Sequence, residues 1–155
     1  MSFTRHLLVD GANILHAWPE LRGLLRRDRD AARSQLVRRV GAIHDGEQVR
    51  VTVVFDGRGE ELVIERPSAQ PTFSVLHTPS SLTADDVIEQ LVAKAADPSA
   101  CVVATGDHGE RETVSAAGAQ VVTPEDLEAW VGRAEARQST RVGELQRANK
   151  RKWRK

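Results

Sequence analysis

Three short apolar runs in this chain end on an aspartate: LLVDG at Asp10, VVFDG at Asp56 and VVATGD at Asp107. Runs this short and rich in β-branched residues predict buried strands. In a parallel sheet the carboxyl ends of all strands share one edge, where ligands bind. The three acids are therefore expected in one crevice. Two more, Asp85 and Asp86, open a predicted helix whose N-terminal dipole favours negative charge at the same edge. Taken singly, each has an ordinary explanation, since Asp before Gly is turn chemistry and Asp in a first helical turn aids capping. Taken together they repel one another in a crevice of low dielectric, and a cation relieves that cost. All-oxygen ligation without paired His or clustered Cys suits Mg²⁺ or Mn²⁺ better than Zn²⁺. Hard cations so held activate water and stabilise the charge that builds on a phosphodiester during in-line displacement. Asn13 is placed to orient the site by hydrogen bonding and Thr105 to set the turn that aims Asp107, and each reads equally well as an ordinary turn residue.

The elements that must position these residues follow from periodicity. Residues 6–9, 49–55, 73–77, 100–104 and 120–122 predict five strands, with a further small strand at 62–64 inside a loop marked by Gly59, Pro67 and Pro71. A loop or short helix passes through Trp18 and Pro19, and residues 30–44 place Leu36, Val37, Val40 and Ile43 at helical spacing. Thr83 to Asp86 is a capping pattern before the face Val87, Ile88, Leu91, Val92 and Ala95, with the helix ending near Asp97 and Pro98. Residues 110–117 predict a short helix closed by Gly118. Thr123-Pro124-Glu125-Asp126 starts a last helix that runs past Trp130. Strands alternating with helices predict an α/β fold: a single three-layer α/β/α domain with a mainly parallel sheet of about five strands. The expected division is a domain over residues 1–136 and a basic tail, helical or disordered, over 137–155.

Composition narrows the class. With 155 residues, 40% hydrophobic and 28% charged, the chain suits one globular domain and is neither disordered nor membrane-spanning. The N-terminus lacks the apolar stretch of a signal peptide, so a cytoplasmic location is expected. Cys101 lies in an apolar run and reads as a buried thiol rather than a nucleophile. Net charge is zero but uneven: from Arg137 onward eight basic residues stand against one acid, which leaves the preceding 136 residues net acidic. A basic tail of this kind binds polyanions while the body reserves its acids for metal. Arg147, Lys150, Arg151, Lys152, Trp153, Arg154 and Lys155 are the expected RNA-binding group, with Trp153 able to stack on a base. The competing reading of the same segment is a solvated, frayed terminus. His108, next to Asp107, is expected on an exposed loop, and Trp18 is expected to pack.

VDGAN at residues 9–13, AWPEL at 17–21, VVFDG, TADDVIE at 83–89 and VVATGD occur in an order and spacing that resembles the NYN, or YacP-like, branch of the PIN-domain nucleases. The resemblance spans roughly residues 5–130. It implies a PIN-like fold and a Mg²⁺- or Mn²⁺-dependent endoribonuclease, one type of which acts on messenger RNA within the ribosome. It further implies Asp10, Asp85 and Asp107 as metal ligands, Asp56 lining the site, and Asp86 as an alternative ligand or one that acts through a neighbour. The sequence departs from those relatives at Ala12, where they usually carry a tyrosine.

Other chemistries are set aside. There is no GxxxxGK[ST], no GxGxxG after the first strand and no GxSxG. A haloacid dehalogenase-type phosphatase needs an aspartate where Ala12 stands. Two readings remain. One is an endoribonuclease in which Asp10, Asp85, Asp107 and Asn13 form the catalytic group and metal-activated water cuts RNA, single-stranded or messenger, with the ribosome as a candidate partner. The other is a non-catalytic RNA- or ribosome-binding protein of the same fold. The full set of carboxylates favours the enzyme, because a pure polyanion binder gains nothing from an acidic crevice.

Overall fold

Strand and helix alternate in the computed structural model, which describes the backbone of residues 3–153 and the side chains of residues 3–148. The order is β1 (His6–Asp10), α1 (Gly11–Ala17), α2 (Pro19–Arg27), α3 (Arg29–Glu47), β2 (Arg50–Phe55), β3 (Val63–Glu65), β4 (Phe73–His77), α4 (Ala84–Ala93), β5 (Cys101–Ala104), α5 (His108–Ala116), β6 (Gln120–Val122) and α6 (Pro124–Trp153). Among the described residues six strands form one sheet in the order β3-β4-β2-β1-β5-β6. All neighbours pair in parallel except β3, which runs antiparallel to β4 at the edge.

The strands are apolar on both faces because both faces are covered. Leu7 and Val9 of β1, with Val51, Val53 and Phe55 of β2, pack against α1, α2, α3 and α6. Leu8 and Val54, pointing the other way, pack against Ala84, Ile88 and Val92 of α4 and Val114 of α5. Period-two alternation in each strand thus divides the interior into two apolar layers with the sheet between them. β1 and β2 are central, so Asp10 and the residues after Phe55 reach the middle of the sheet's carboxyl edge.

Local signals explain the helix starts. Asp28 caps α3 by accepting the Ala31 N–H at 3.1 Å, and Pro19 occupies the first turn of α2. Thr83 and Asp86 cap α4 reciprocally. Thr123 accepts the Asp126 N–H at 3.1 Å at the start of α6. The N-terminal and C-terminal helices are tied together by Trp18, buried and donating its indole N–H to the Pro124 carbonyl at 2.8 Å. The Arg39 guanidinium lies over the same indole at 5.1 Å.

Several boundaries differ from the sequence expectation. The small strand expected at 62–64 is β3 and adds a sixth, antiparallel edge to the sheet of about five. Residues 19–27 form α2, since Leu21 is buried and Leu24 and Leu25 pack on the core at the helical repeat. α6 continues without a break through residue 136, so the expected boundary between domain and tail falls inside one helix. The last side chain that α6 buries in the core is Ala134. Beyond it, strong helix formers such as Arg, Glu, Leu and Gln carry the helix on, and from Arg141 to Arg147 it is largely exposed.

Trp18→Phe should lower the unfolding free energy by about 1–3 kcal/mol, because it leaves the buried Pro124 carbonyl without its donor and opens space beside α6. Urea denaturation measures this, and an unchanged midpoint would show that the tie between α1 and α6 is dispensable.

Candidate metal centre

Asp10 is both the last residue of β1 and the N-cap of α1. Its carboxylate accepts the Asn13 N–H at 3.3 Å, and the residue is only 5% exposed. The next position must be glycine on packing grounds: a Cβ on Gly11 would lie 2.3 Å from the Phe55 ring. Asp85 is the second residue of α4, three and seven residues before the buried Ile88 and Val92, which turns it toward the sheet. Glu110 is the third residue of α5, four before the buried Val114, and is 2% exposed. One carboxylate oxygen from each of Asp10, Asp85 and Glu110 lies within 4.8 Å of the other two.

The electrostatics of this trio are severe. While all three are ionised they have no donor to share, and neither oxygen of Glu110 has a hydrogen-bond partner. Burial first, and then the neighbouring Asp10 carboxylate, pushes Glu110 up to about 10 from an ordinary 4.5. Asp85 is raised from 3.8 to about 7, again by burial first and then by Asp10. A proton on one acid, donated to another, is one remedy. A cation is the other.

The remaining predicted residues are placed as follows. Asp107 is the exposed N-cap of α5; its carboxylate accepts the Gly109 N–H at 3.2 Å, and its own N–H goes to Thr105 Oγ1 at 3.1 Å. It stands at the rim, close enough to Asp85 to contribute to that acid's upward shift. Asn13 Oδ1 accepts the Gly106 N–H at 2.7 Å, which ties α1 to the turn after β5. Asp56 does not join the trio: its carboxylate accepts the Ala84 N–H at 2.8 Å and so caps α4. Nor does Asp86, whose carboxylate accepts the Thr83 N–H at 3.1 Å. An outward position in the first turn makes Asp86 a capping acid, while its neighbour Asp85 faces in.

Glu110 takes the inner place that the sequence reading left unassigned. Its signal was present: an acid at the third position of a helix that starts at the sheet's carboxyl edge, four residues before a buried valine. His108 is exposed and pairs with Glu112 at 3.0 Å. Arg147 is exposed on α6, and the side chains of Lys150, Arg151, Lys152, Trp153, Arg154 and Lys155 lie outside the described residues.

A family model described as the YacP-like NYN domain matches residues 7–155. The chain belongs to the YacP-like NYN family. It is 31% identical over 142 residues to the protein YacP of Bacillus subtilis (strain 168), covering 90% of this chain and 82% of that one. It is also similar to two crystal structures of Rae1 (YacP) from Bacillus subtilis. One matches with TM-score 0.75 and 30% identity over 91% of this chain and 82% of that chain. The other has TM-score 0.75 and 29% identity over 96% and 84%. The fold of this NYN chain is therefore PIN-like, a nuclease-like architecture with its acids at the carboxyl edge of the sheet.

The residues present fit a divalent cation. Three hard oxygen donors converge, and two orphaned oxygens on a buried glutamate are the acceptors such an ion satisfies. Among the described residues no other group of three or more His, Cys, Asp or Glu converges in this way.

The pH dependence has a definite sign. Both shifted acids have folded values above their unfolded ones, so the metal-free fold has their full contribution below about pH 4. It loses that contribution as pH rises, through about 7 for Asp85 and onward to about 10 for Glu110. In EDTA the melting temperature of the wild type should therefore fall relative to Glu110→Gln between about pH 5 and 8. The difference should grow by on the order of 1 kcal/mol per pH unit. Millimolar Mg²⁺ or Mn²⁺ should restore the wild type alone. A difference independent of pH would show that Glu110 is not held against its ionisation.

Proposed function

We propose that this NYN-family chain is a divalent-metal-dependent endoribonuclease that uses Mg²⁺ or Mn²⁺. The observation that carries the reading is the trio Asp10, Asp85 and Glu110, with oxygens within 4.8 Å and no internal donor, on the edge where a parallel sheet presents its ligands. When bound there, a divalent cation supplies Lewis acidity toward phosphate oxygens and makes water a competent nucleophile at neutral pH. The chain's own residues do the rest. Asp10, held by the α1 backbone, Asp85 and Glu110 would hold the ion, and Asp85 and Glu110, both raised, would be deprotonated in that state. Asp107 adds negative charge at the open rim, and Asn13 keeps α1 and the turn at Gly106 in one register. The family match and the nuclease-like fold support RNA as substrate, single-stranded or messenger. The same likeness makes the ribosome a candidate partner and the cytoplasm the expected compartment.

A labelled single-stranded RNA tests this. Cutting should occur with Mn²⁺ or Mg²⁺ and stop with EDTA. It should fall by roughly 100-fold or more in Asp10→Asn, Asp85→Asn and Glu110→Gln, the scale for losing a preorganised charge-stabilising group. Asp86→Asn, which keeps an acceptor for the α4 cap, should cut within a few-fold of wild type. Cutting that survives EDTA would overturn the proposal, and tight binding without cutting would favour a non-catalytic RNA-binding protein.

The basic end of α6 is proposed to recruit the strand. Deleting residues 141–155 spares the Arg137–Glu47 pair at 2.8 Å. The truncation should weaken RNA binding and flatten its dependence on salt by about 0.7 in log–log slope for each lost phosphate contact. Filter binding across a salt series measures it, and an unchanged slope would remove the tail from the interface.

A further inference from the structure

One aromatic ring links the carboxylate trio to a cluster of opposite charge. The ring is Phe55, the last residue of β2, which lies against Gly11 beside Asp10. The Arg33 guanidinium lies over it with its carbon 4.9 Å from the ring centroid. Arg29 stands one helical turn before Arg33 on α3, and Arg58 follows Asp56 in the loop after β2. Together with Ala12 and Asp56, the three arginines line a cleft of about 300 Å³.

The charges in this cleft are under-compensated. Among the described residues no carboxylate lies within 4.0 Å of any of the three guanidinium groups. Arg33 Nη2 donates to the Asp56 carbonyl at a long 3.4 Å, and its Nε is buried with no hydrogen-bond partner. Burial first, and then Arg29, lowers the Arg33 pKa from its ordinary value, even though Asp30 and Asp56 act against that shift. An anion bound there offsets the repulsion among the three cations. A planar guanidinium held over a ring presents its donors in a fixed fork whose geometry matches phosphate.

We propose that Arg29, Arg33 and Arg58 bind a phosphodiester of the RNA strand next to the one that is cut, and so set the strand's register on the trio. The inference rests on the nuclease reading and adds to it the residues that position the substrate. The acids hold the metal, and the arginines around Phe55 hold a neighbouring phosphate.

The test uses the full chain and a fluorescent single-stranded oligoribonucleotide in EDTA, so that binding is read without cutting. Arg29 and Arg58 are exposed, so Arg29→Gln/Arg58→Gln should melt as the wild type does. It should bind roughly tenfold more weakly, with a salt slope shallower by about 0.7 to 1.4 for one or two lost phosphate contacts. With Mn²⁺ its KM should rise about tenfold while kcat changes less than about threefold, since the metal ligands are intact. Arg33→Lys keeps the charge but loses the orphaned donor and the planar stack, so it should lose affinity with little change in slope. Ala12→Phe, which fills the cleft and leaves every charge in place, should raise KM in the same way.

Unchanged slope and KM in the double variant, with a wild type that binds and cuts, overturn this inference and leave the nuclease reading standing. A wild type that binds no RNA overturns both. A wild type that binds but never cuts, with the double variant impaired, keeps the strand site and removes the nuclease reading.

Discussion

Two of the three carboxylates that meet between β1, α4 and α5 are almost wholly buried, and no donor within the trio serves them. Burial first, and then the Asp10 carboxylate, raises the pKa of both Asp85 and Glu110. An arrangement that costs folding free energy persists where the surrounding structure over-determines it. Here β1 delivers Asp10 to the middle of the sheet's edge, and α4 and α5, packed on one face of the sheet, aim Asp85 and Glu110 back at it. The apolar contacts of Ile88, Val92 and Val114 hold those helices in place against the repulsion at their first turns. Stability built in the α4/α5 layer is thus spent at the site, which is why the acids occupy helix starts, where dipoles favour negative charge, rather than helix ends.

The same edge separates charge of opposite sign over a short distance. Phe55 packs against Gly11 beside the acids and carries Arg33 on its ring, so a single apolar side chain insulates a carboxylate cage from a guanidinium cluster. If Arg33 met Asp10 directly, the two would neutralise each other. Asp56 contributes by its backbone and side chain in different directions. Its carbonyl accepts from Arg33 and its carboxylate caps α4, and this connects the arginine cleft to the helix that carries Asp85. An Asp56 placed among the metal ligands would leave the α4 N-terminus without that acceptor.

Long-range ties keep these loops in register. Asn13 reaches the turn at Gly106, and Trp18 reaches Pro124. Both bonds run from the region just after β1 to segments about a hundred residues later in the chain, at the start of α5 and of α6. They fix the loops around the trio without using any of its oxygens. The helical continuation of α6 beyond Ala134 projects basic side chains from a body whose acids are gathered at one edge. Charge along the chain is thereby sorted into an acidic cluster at the sheet's edge and separate basic surfaces.

Local sequence determined the order of elements, the central apolar strands, the capping of α4 and the arrival of Asp10 and Asp85 at one edge. Period-two alternation, helical spacing and cap chemistry are properties of near neighbours. Which acids face one another was not local. Asp85 and Asp86 are adjacent and equally acidic, yet a rotation of about 100° along the helix sends one to the sheet and the other to the Thr83 cap. Asp107 and Glu110 divide in the same way, the N-cap staying at the rim and the residue one turn later going inside, so Glu110 joined Asp10 and Asp85 only when α5 was seated against α4 and β6. The extent of α2 depended on what that helix packs against, not on the Pro19 that marks it, and α6 runs unbroken past its last core contact at Ala134 on helix propensity rather than on packing. Only the tertiary structure decided the arginine cleft, because Arg29, Arg33 and Arg58 come from two segments that meet around a single phenylalanine ring, and neither segment alone encodes that meeting.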